Sequence, residues 1–206
     1  DSNSNGKIDA NEITDERVGW VAQVGASNCL GRSVAIDLNG DIWLGCYSEG
    51  AYYKIDGTNG ALLDGPISTP GHNPYGALVD KYGILWGASL GNNLLRLDTN
   101  TKTVKTFSVS GSIYGIALGY DSEGFTHAYL ADSGGDTYMD FSSKTNTSST
   151  PAEIKFSALG IATDKDGNIV VGDAYAGGVA KFYPNGSLIW NAVPQLVSEV
   201  RGVTVD

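Results

Sequence analysis

Residues 31–46, GRSVAIDLNGDIWLGC, read as two strands joined by a tight turn at Asn39-Gly40. Apolar and polar positions alternate on both sides of that turn, the period-2 pattern of a half-buried strand. Asn-Gly between such runs predicts a type I′ hairpin, whose two central residues both need positive φ. The hairpin recurs. Asp37-x-x-Gly40 returns as Asp80-x-x-Gly83, Asp121-x-x-Gly124 and Asp164-x-x-Gly167, and Asp206 stands where a fifth copy would begin. Successive aspartates are 43, 41, 43 and 42 residues apart. A strand-rich unit with this period is the signature of a β-propeller blade.

Each repeat carries a four-strand grammar. Strands are expected at 33–37, 42–46, 52–56 and 61–67 in the first, and at 75–80, 84–88, 93–98 and 104–109 in the second. The third gives 125–130, 137–141, a Ser/Thr-rich loop over 142–150 and an outer strand at 153–156. The fourth gives 160–164, 169–172, 179–183 and 187–190. Small and β-branched residues dominate the first strand of each, as the crowded centre of a propeller demands. A strand expected at 19–24 contains Trp20, as the outer strand of the last repeat contains Trp190. It is expected to share a blade with an innermost strand at 201–206. Counting from Asp206 across that join to Asp37 gives 37 residues, so five blades would close the ring with strands from both termini. The alternative is a fragment of a six- or seven-bladed propeller.

Composition agrees. Of 206 residues 28 are Gly and only 17% are charged, and no long helical periodicity appears. The net charge of −10 and the lack of a basic cluster argue against nucleic acid. No apolar run approaches the roughly 20 residues that span a bilayer. The chain begins at Asp1 rather than Met, as a processed or excised piece would. Acidity, abundant Ser, Thr and Asn, and the sequons at Asn146 and Asn185 point to secretion, with those two asparagines as glycosylation candidates. Cys29 and Cys46 are the only cysteines. With the turn at Asn39-Gly40, Cys46 falls opposite Ser33, and a disulfide to Cys29 would staple the first hairpin in an oxidising compartment. Two unrelated buried thiols are the other reading.

Residues 1–12, DSNSNGKIDANE, match an EF-hand-type calcium loop position by position. Asp1, Asn3, Asn5, Asp9 and Glu12 fall at ligand positions, Lys7 offers its carbonyl and Gly6 the sharp turn. Hard Ca²⁺ needs six to eight oxygens around one point, which this spacing supplies. The sequence thus divides into a calcium loop at 1–12 and a propeller over 13–206. Such a loop is similar to those of dockerins and extracellular linker repeats, where the resemblance implies a structural role.

The inner-strand patterns Tyr75-Gly76-Ala77-Leu78-Val79-Asp80, Leu159-Gly160-Ile161-Ala162-Thr163-Asp164 and Arg201-Gly202-Val203-Thr204-Val205-Asp206 carry a further resemblance. With the x-x-Gly-x-x-Trp that follows, they resemble the virginiamycin B lyase-like and NHL-type propellers from about Gly31 onward. The lyases imply a metal-assisted His/Glu site, for which the two histidines here offer no matching set.

Arg32, Tyr75, Tyr114, Leu159 and Arg201 start the inner strands, and His72 lies in the loop leading to one of them. Such loops form one mouth of a propeller's channel. Arg32, His72, Tyr75, Tyr114 and Arg201 would therefore converge as a polar, aromatic binding site for an anionic or sugar-like ligand. A ring around a water-filled channel is the plainer reading. His127 stands six residues after its Asp, as do Trp43 and Trp86, and reads as a packing residue. The expectation is an extracellular, calcium-stabilised propeller that binds a carbohydrate, an anionic small molecule or a protein. The alternatives are a fibre or surface-assembly subunit pairing through its terminal strands, and a lyase or hydrolase working at the mouth.

Overall fold

The computed structural model describes residues 18–154, 156–175, 177–192 and 200–205. The calcium-loop ligands Asp1, Asn3, Asn5, Lys7, Asp9 and Glu12 lie outside the described residues, as does Asp206. Four antiparallel four-stranded sheets follow one another along the chain. Blade 1 holds β1 (Gly31–Ile36), β2 (Ile42–Cys46), β3 (Ala51–Ile55) and β4 (Leu62–Ser68). Blade 2 holds β5 (Gly76–Val79), β6 (Ile84–Ala88), β7 (Asn93–Asp98) and β8 (Val104–Ser108). Blade 3 holds β9 (Ile113–Tyr120), β10 (Thr126–Asp132), β11 (Thr137–Ser142) and β12 (Thr147–Glu153). Blade 4 holds β13 (Ala158–Thr163), β14 (Ile169–Asp173), β15 (Val179–Phe182) and β16 (Leu188–Ala192). Strand order within each sheet is sequential, and the inner strands β1, β5, β9 and β13 neighbour one another in turn.

Among the described residues, three apolar cores form between successive blades rather than within one. Trp43 and Tyr52 of blade 1 pack with Leu85, Leu95 and Leu97 of blade 2. Ile84, Trp86 and Leu94 meet Leu130, Met139 and Phe141 of blade 3. Tyr129 and Tyr138 meet Ile161, Ile169, Val171 and Phe182 of blade 4. Period-2 alternation explains this, because each sheet sends alternate side chains toward opposite neighbours. β1 shows one face packed and one not, among the described residues. Ala35 faces blade 2 and is buried, while Val34 and Ile36 on the other face are 60% and 62% exposed.

The repeated Asp-x-x-Gly is the corner where each inner strand turns into the next. Asp37 accepts the Asn39 and Asp41 N–H groups on Oδ1 and the Trp43 indole N–H on Oδ2, at 2.9, 3.1 and 3.0 Å. Asp80 repeats this with Tyr82, Ile84 and Trp86. Asp121 and Asp164 repeat the two backbone bonds. The corner differs from the expected type I′ turn. Gly40 N–H closes it on the Asp37 carbonyl, and only Gly40 has positive φ. The Asp carboxylate, an Asx-turn device, sets the geometry that Asn39 was expected to set.

Three other expectations shift. Residues 19–24 join no ladder; instead the Trp20 indole N–H donates to the Gly57 carbonyl beside the β3–β4 turn. Residues 201–205 form no ladder either, although Val203 and Val200 lie beside blade 4, so close that a methyl on Gly160 or Gly172 would meet them at 2.8 or 2.5 Å. In blade 3 the expected loop over 142–150 is largely strand: β12 occupies Thr147–Glu153, after a turn with Asn146 at φ 57°. An outer strand needs no apolar alternation, and threonines suit it.

Candidate functional site

The inner strands begin at one end of the blades and reach their Asp corners at the other. At the beginning end, β1 is interrupted by a bulge: Gly31 pairs with Cys46 and Ser33 with Gly45, leaving Arg32 as the extra residue. Cys46 is therefore opposite Gly31, not Ser33, because the bulge adds one residue to that strand. The Cys29–Cys46 disulfide, with Cα atoms 5.4 Å apart, fixes the segment ahead of the bulge to the end of β2. Glu49 reinforces it, accepting the Ala26 N–H and the Tyr53 hydroxyl, each at 2.6 Å.

Arg32 projects from the bulge onto Tyr75. Its guanidinium carbon lies 5.0 Å from the ring centroid, and Nη1 donates to the Tyr75 hydroxyl at 3.3 Å. Tyr75 stands edge-on to Tyr114, with centroids 5.0 Å apart, and to Tyr47 at 6.1 Å. Tyr75, Tyr114, Leu159 and Arg201 line one cavity of about 220 Å³. Burial, and then a hydrogen bond with Tyr114, push the Tyr75 hydroxyl pKa up, against the opposing fields of Arg32 and Arg201. The hydroxyl therefore stays protonated at neutral pH. Among the described residues Arg32 makes no ion pair with a carboxylate, in a chain with 23 Asp and Glu. The cluster can take up an anion against guanidinium and phenol donors.

His72 does not belong to this cluster. Its side chain is 0% exposed, within the 69–75 connection from blade 1 to blade 2. Nδ1 sits 2.7 Å from Asn93 Oδ1, and Asn93 Nδ2 donates to the Gly71 carbonyl. That orientation makes Nδ1 the donor and leaves the Nε2 lone pair without a partner among the described residues. Burial drives the His72 pKa down to about 4, against the hydrogen bond with Asn93. The loop turns inward where the single Thr69 hydroxyl proton is shared between the Gly50 and His72 carbonyls, 2.8 and 2.9 Å from Oγ1. Tyr47 is the residue that sequence reading missed; it directly follows Cys46 at the end of β2, beside the disulfide.

His127 takes the place of the corner tryptophans. Its Nδ1 meets Asp140 at 2.7 Å and its Nε2 approaches Asp121 at 3.8 Å. The hydrogen bond to Asp140 raises its pKa despite partial burial. Asn146 and Asn185 are exposed at the β11–β12 and β15–β16 turns. Among the described residues, the grouping of Cys, His and acid ligand atoms close enough for a metal is Cys29, Cys46 and Glu49, and the disulfide consumes both thiols.

Sequence comparison matches no family model and no curated protein. Solved structures do match. Virginiamycin B lyase from Staphylococcus aureus superposes with TM-score 0.69 at 13% identity, over 82% of this chain and 57% of that one. A gluconolactonase from Xanthomonas campestris gives 0.63 at 15%, over 83% and 64%. BamB from Moraxella catarrhalis gives 0.57 at 18%, over 91% and 57%. The likeness establishes the β-propeller fold, and the chain spans less than two thirds of the length of these proteins. No helix among the described residues is long and apolar enough to cross a membrane.

Proposed function

We propose that this chain is the ligand-binding part of an extracellular β-propeller, and that it takes a small anionic ligand, such as an acidic sugar, at the Arg32 mouth. One observation carries the reading: a guanidinium stacked on Tyr75 without a carboxylate partner among the described residues, in a chain of net charge −10. Arg201 and Tyr114 line the adjoining cavity, and Tyr47 buttresses Tyr75. His72 lies outside the site, so the lyase or hydrolase reading loses the acid–base group it named. The disulfide supports an oxidising, extracellular setting. The calcium loop at 1–12 joins the proposal on its ligand spacing, with a structural role.

The test is a titration with citrate, inorganic phosphate and glucuronate, following the Arg32 Nε–Hε and Tyr75 resonances by NMR. At least one anion should give saturable shifts at both residues, and Arg32→Gln should weaken it at least fivefold. Shifts that never saturate, or that ignore Arg32→Gln, sink the reading.

A second reading rests on the open face of blade 1, where Val34 and Ile36 are exposed. A strand or sheet from another molecule, or from a longer parent chain, would cover it and build an assembly. Concentration-dependent oligomers abolished by Val34→Lys would establish that reading.

A further inference from the structure

The repeats provide their own control, and blade 2 departs from it at the corner end, away from the mouth. In blade 1 the residue paired across from Trp43 is Lys54, which meets Asp37 at 3.0 Å. In blade 4 the same place, across from Val170, holds Lys181, 2.7 Å from Asp164. In blade 2 the residue across from Trp86 is Arg96. It makes no such pair. Thr126 of blade 3 donates to Asp80 Oδ2 at 2.8 Å, beside the Trp86 indole, while Oδ1 holds the Tyr82 and Ile84 N–H groups. Four donors fill the carboxylate, so nothing is left for the guanidinium. Among the described residues Arg96 has no ion pair, and its electrostatic partner is the field of Asp98.

Arg96 instead lines a cleft of about 340 Å³ between blades 2 and 3. Trp86 lies at its base, and the Tyr82 and Phe125 rings stand at its rim, 55% and 37% exposed. The Tyr82 hydroxyl donates to the Gly124 carbonyl at 2.6 Å, tying the two blades together across one side. Glu123 also lines the cleft, and Lys144 bonds it while lying 5.3 Å over Phe125. The lining thus offers the half-buried Arg96 guanidinium, two rings each carrying a lysine on one face (Lys144 over Phe125, and Lys81 5.1 Å over Tyr82), and Glu123, whose second oxygen is left to accept.

We propose that this cleft is a second binding site, and that it takes a hexuronate residue of an acidic polysaccharide. The carboxylate pairs with Arg96, whose planar fork accepts it with two hydrogen bonds. The C–H face of the sugar lies on Tyr82 and Phe125, as amphipathic ligands lie on aromatic walls. Glu123 selects against a second carboxylate and accepts a hydroxyl. That combination, one anion with hydroxyl donors on a flat apolar ring, distinguishes a uronate from an acidic peptide or a simple anion. The site is independent of the mouth, because the two lie at opposite ends of the inner strands.

Calorimetry with trigalacturonate, alongside its neutral methyl ester, tests this on the whole chain. Trigalacturonate should bind saturably and shift the Arg96 Nε–Hε resonance, with the ester at least tenfold weaker. In an Arg32→Gln background, which disables the mouth, Arg96→Gln should weaken the remaining binding at least tenfold and Arg96→Lys less. Tyr82→Ala, at an exposed rim position, should weaken it severalfold with the thermal midpoint monitored separately. Absence of binding, equal binding of the ester, or binding that Arg32→Gln removes and Arg96→Gln spares overturns the cleft. The last result would still support the mouth.

Discussion

Lowering the pH from 7 to 4.5 should destabilise the fold through His72 alone among the two histidines. The unfolded imidazole titrates near 6.5, and burial depresses the folded value to about 4. The unfolded chain therefore binds more protons between those values, and stability falls as pH falls through that window. At about 1.36 kcal/mol per pH unit the loss reaches roughly 2 kcal/mol at pH 5 and about 3 kcal/mol at pH 4. His127 runs the other way. Asp140 raises its folded pKa, so its contribution is fully present below 6.5 and fades as pH rises through that raised value. Asp37, Asp121 and Asp164 have depressed pKa values, so their contributions fade only below about 3.8. Urea unfolding of the wild type and of His72→Asn at pH 7, 6, 5 and 4.5 separates these terms. Asn keeps a donor for Asn93 and cannot titrate, so the variant should lose stability at pH 7 but show a flatter profile. The two curves should converge by about 2 kcal/mol between pH 6.5 and 5. Parallel curves would refute the claim that burial holds His72 neutral.

Trp43→Phe and Trp86→Phe each remove one indole N–H from a corner aspartate that stays buried, and each should cost about 1–3 kcal/mol in urea unfolding. An unchanged midpoint would mean the corner needs no indole. Reducing the Cys29–Cys46 disulfide, which closes a separation of 17 residues, should cost about 3 kcal/mol and lower the thermal midpoint by several degrees. Adding Ca²⁺ at 100 times its Kd should stabilise the chain by about 2.7 kcal/mol, reversed by chelation and absent in Glu12→Gln; a midpoint indifferent to Ca²⁺ removes the loop from the account.

The repeat was legible because a carboxylate, a glycine and a turn must stand at fixed offsets to close a corner. Asp37, Asp80, Asp121 and Asp164 therefore mark the blades even at a sequence level too divergent for any family model to match. Most inner and middle strands could be placed from those corners, because blade-on-blade packing forces alternation. The outer strand of blade 3 could not, since the run Thr147–Thr150 that opens it is polar throughout and shows no apolar alternation. Gathering Arg32 with Tyr75, Tyr114 and Arg201 needed only the starting points of inner strands. His72 misled because a loop that leads to a mouth can still turn its side chain inward, and the Thr69 bonds that turn it have no sequence signature. Arg96 was invisible for a different reason. Its partner is missing because Thr126, 30 residues further on, occupies the acid.

That last case bears on how a repeat fold acquires binding sites. Positions whose role is to hold a blade are constrained to repeat, and the corner carboxylates do so, with His127 standing 3.8 Å from Asp121 where two other blades set an indole against the acid. The residues at the starts of the inner strands do not repeat in this way: Tyr75 and Tyr114 are aromatic, Leu159 is aliphatic, and Arg32 stands on a bulge. A cation left over by the corner rule, as at Arg96, follows the same logic. The desolvation of a half-buried cation costs stability, which the corner carboxylate offsets at Lys54 and Lys181 in blades 1 and 4, whereas Arg96 in blade 2 has only the field of Asp98 and no ion pair among the described residues. Such a cost persists where a ligand's anion takes the carboxylate's place, so departures from the repeat locate the chemistry that the repeat itself conceals.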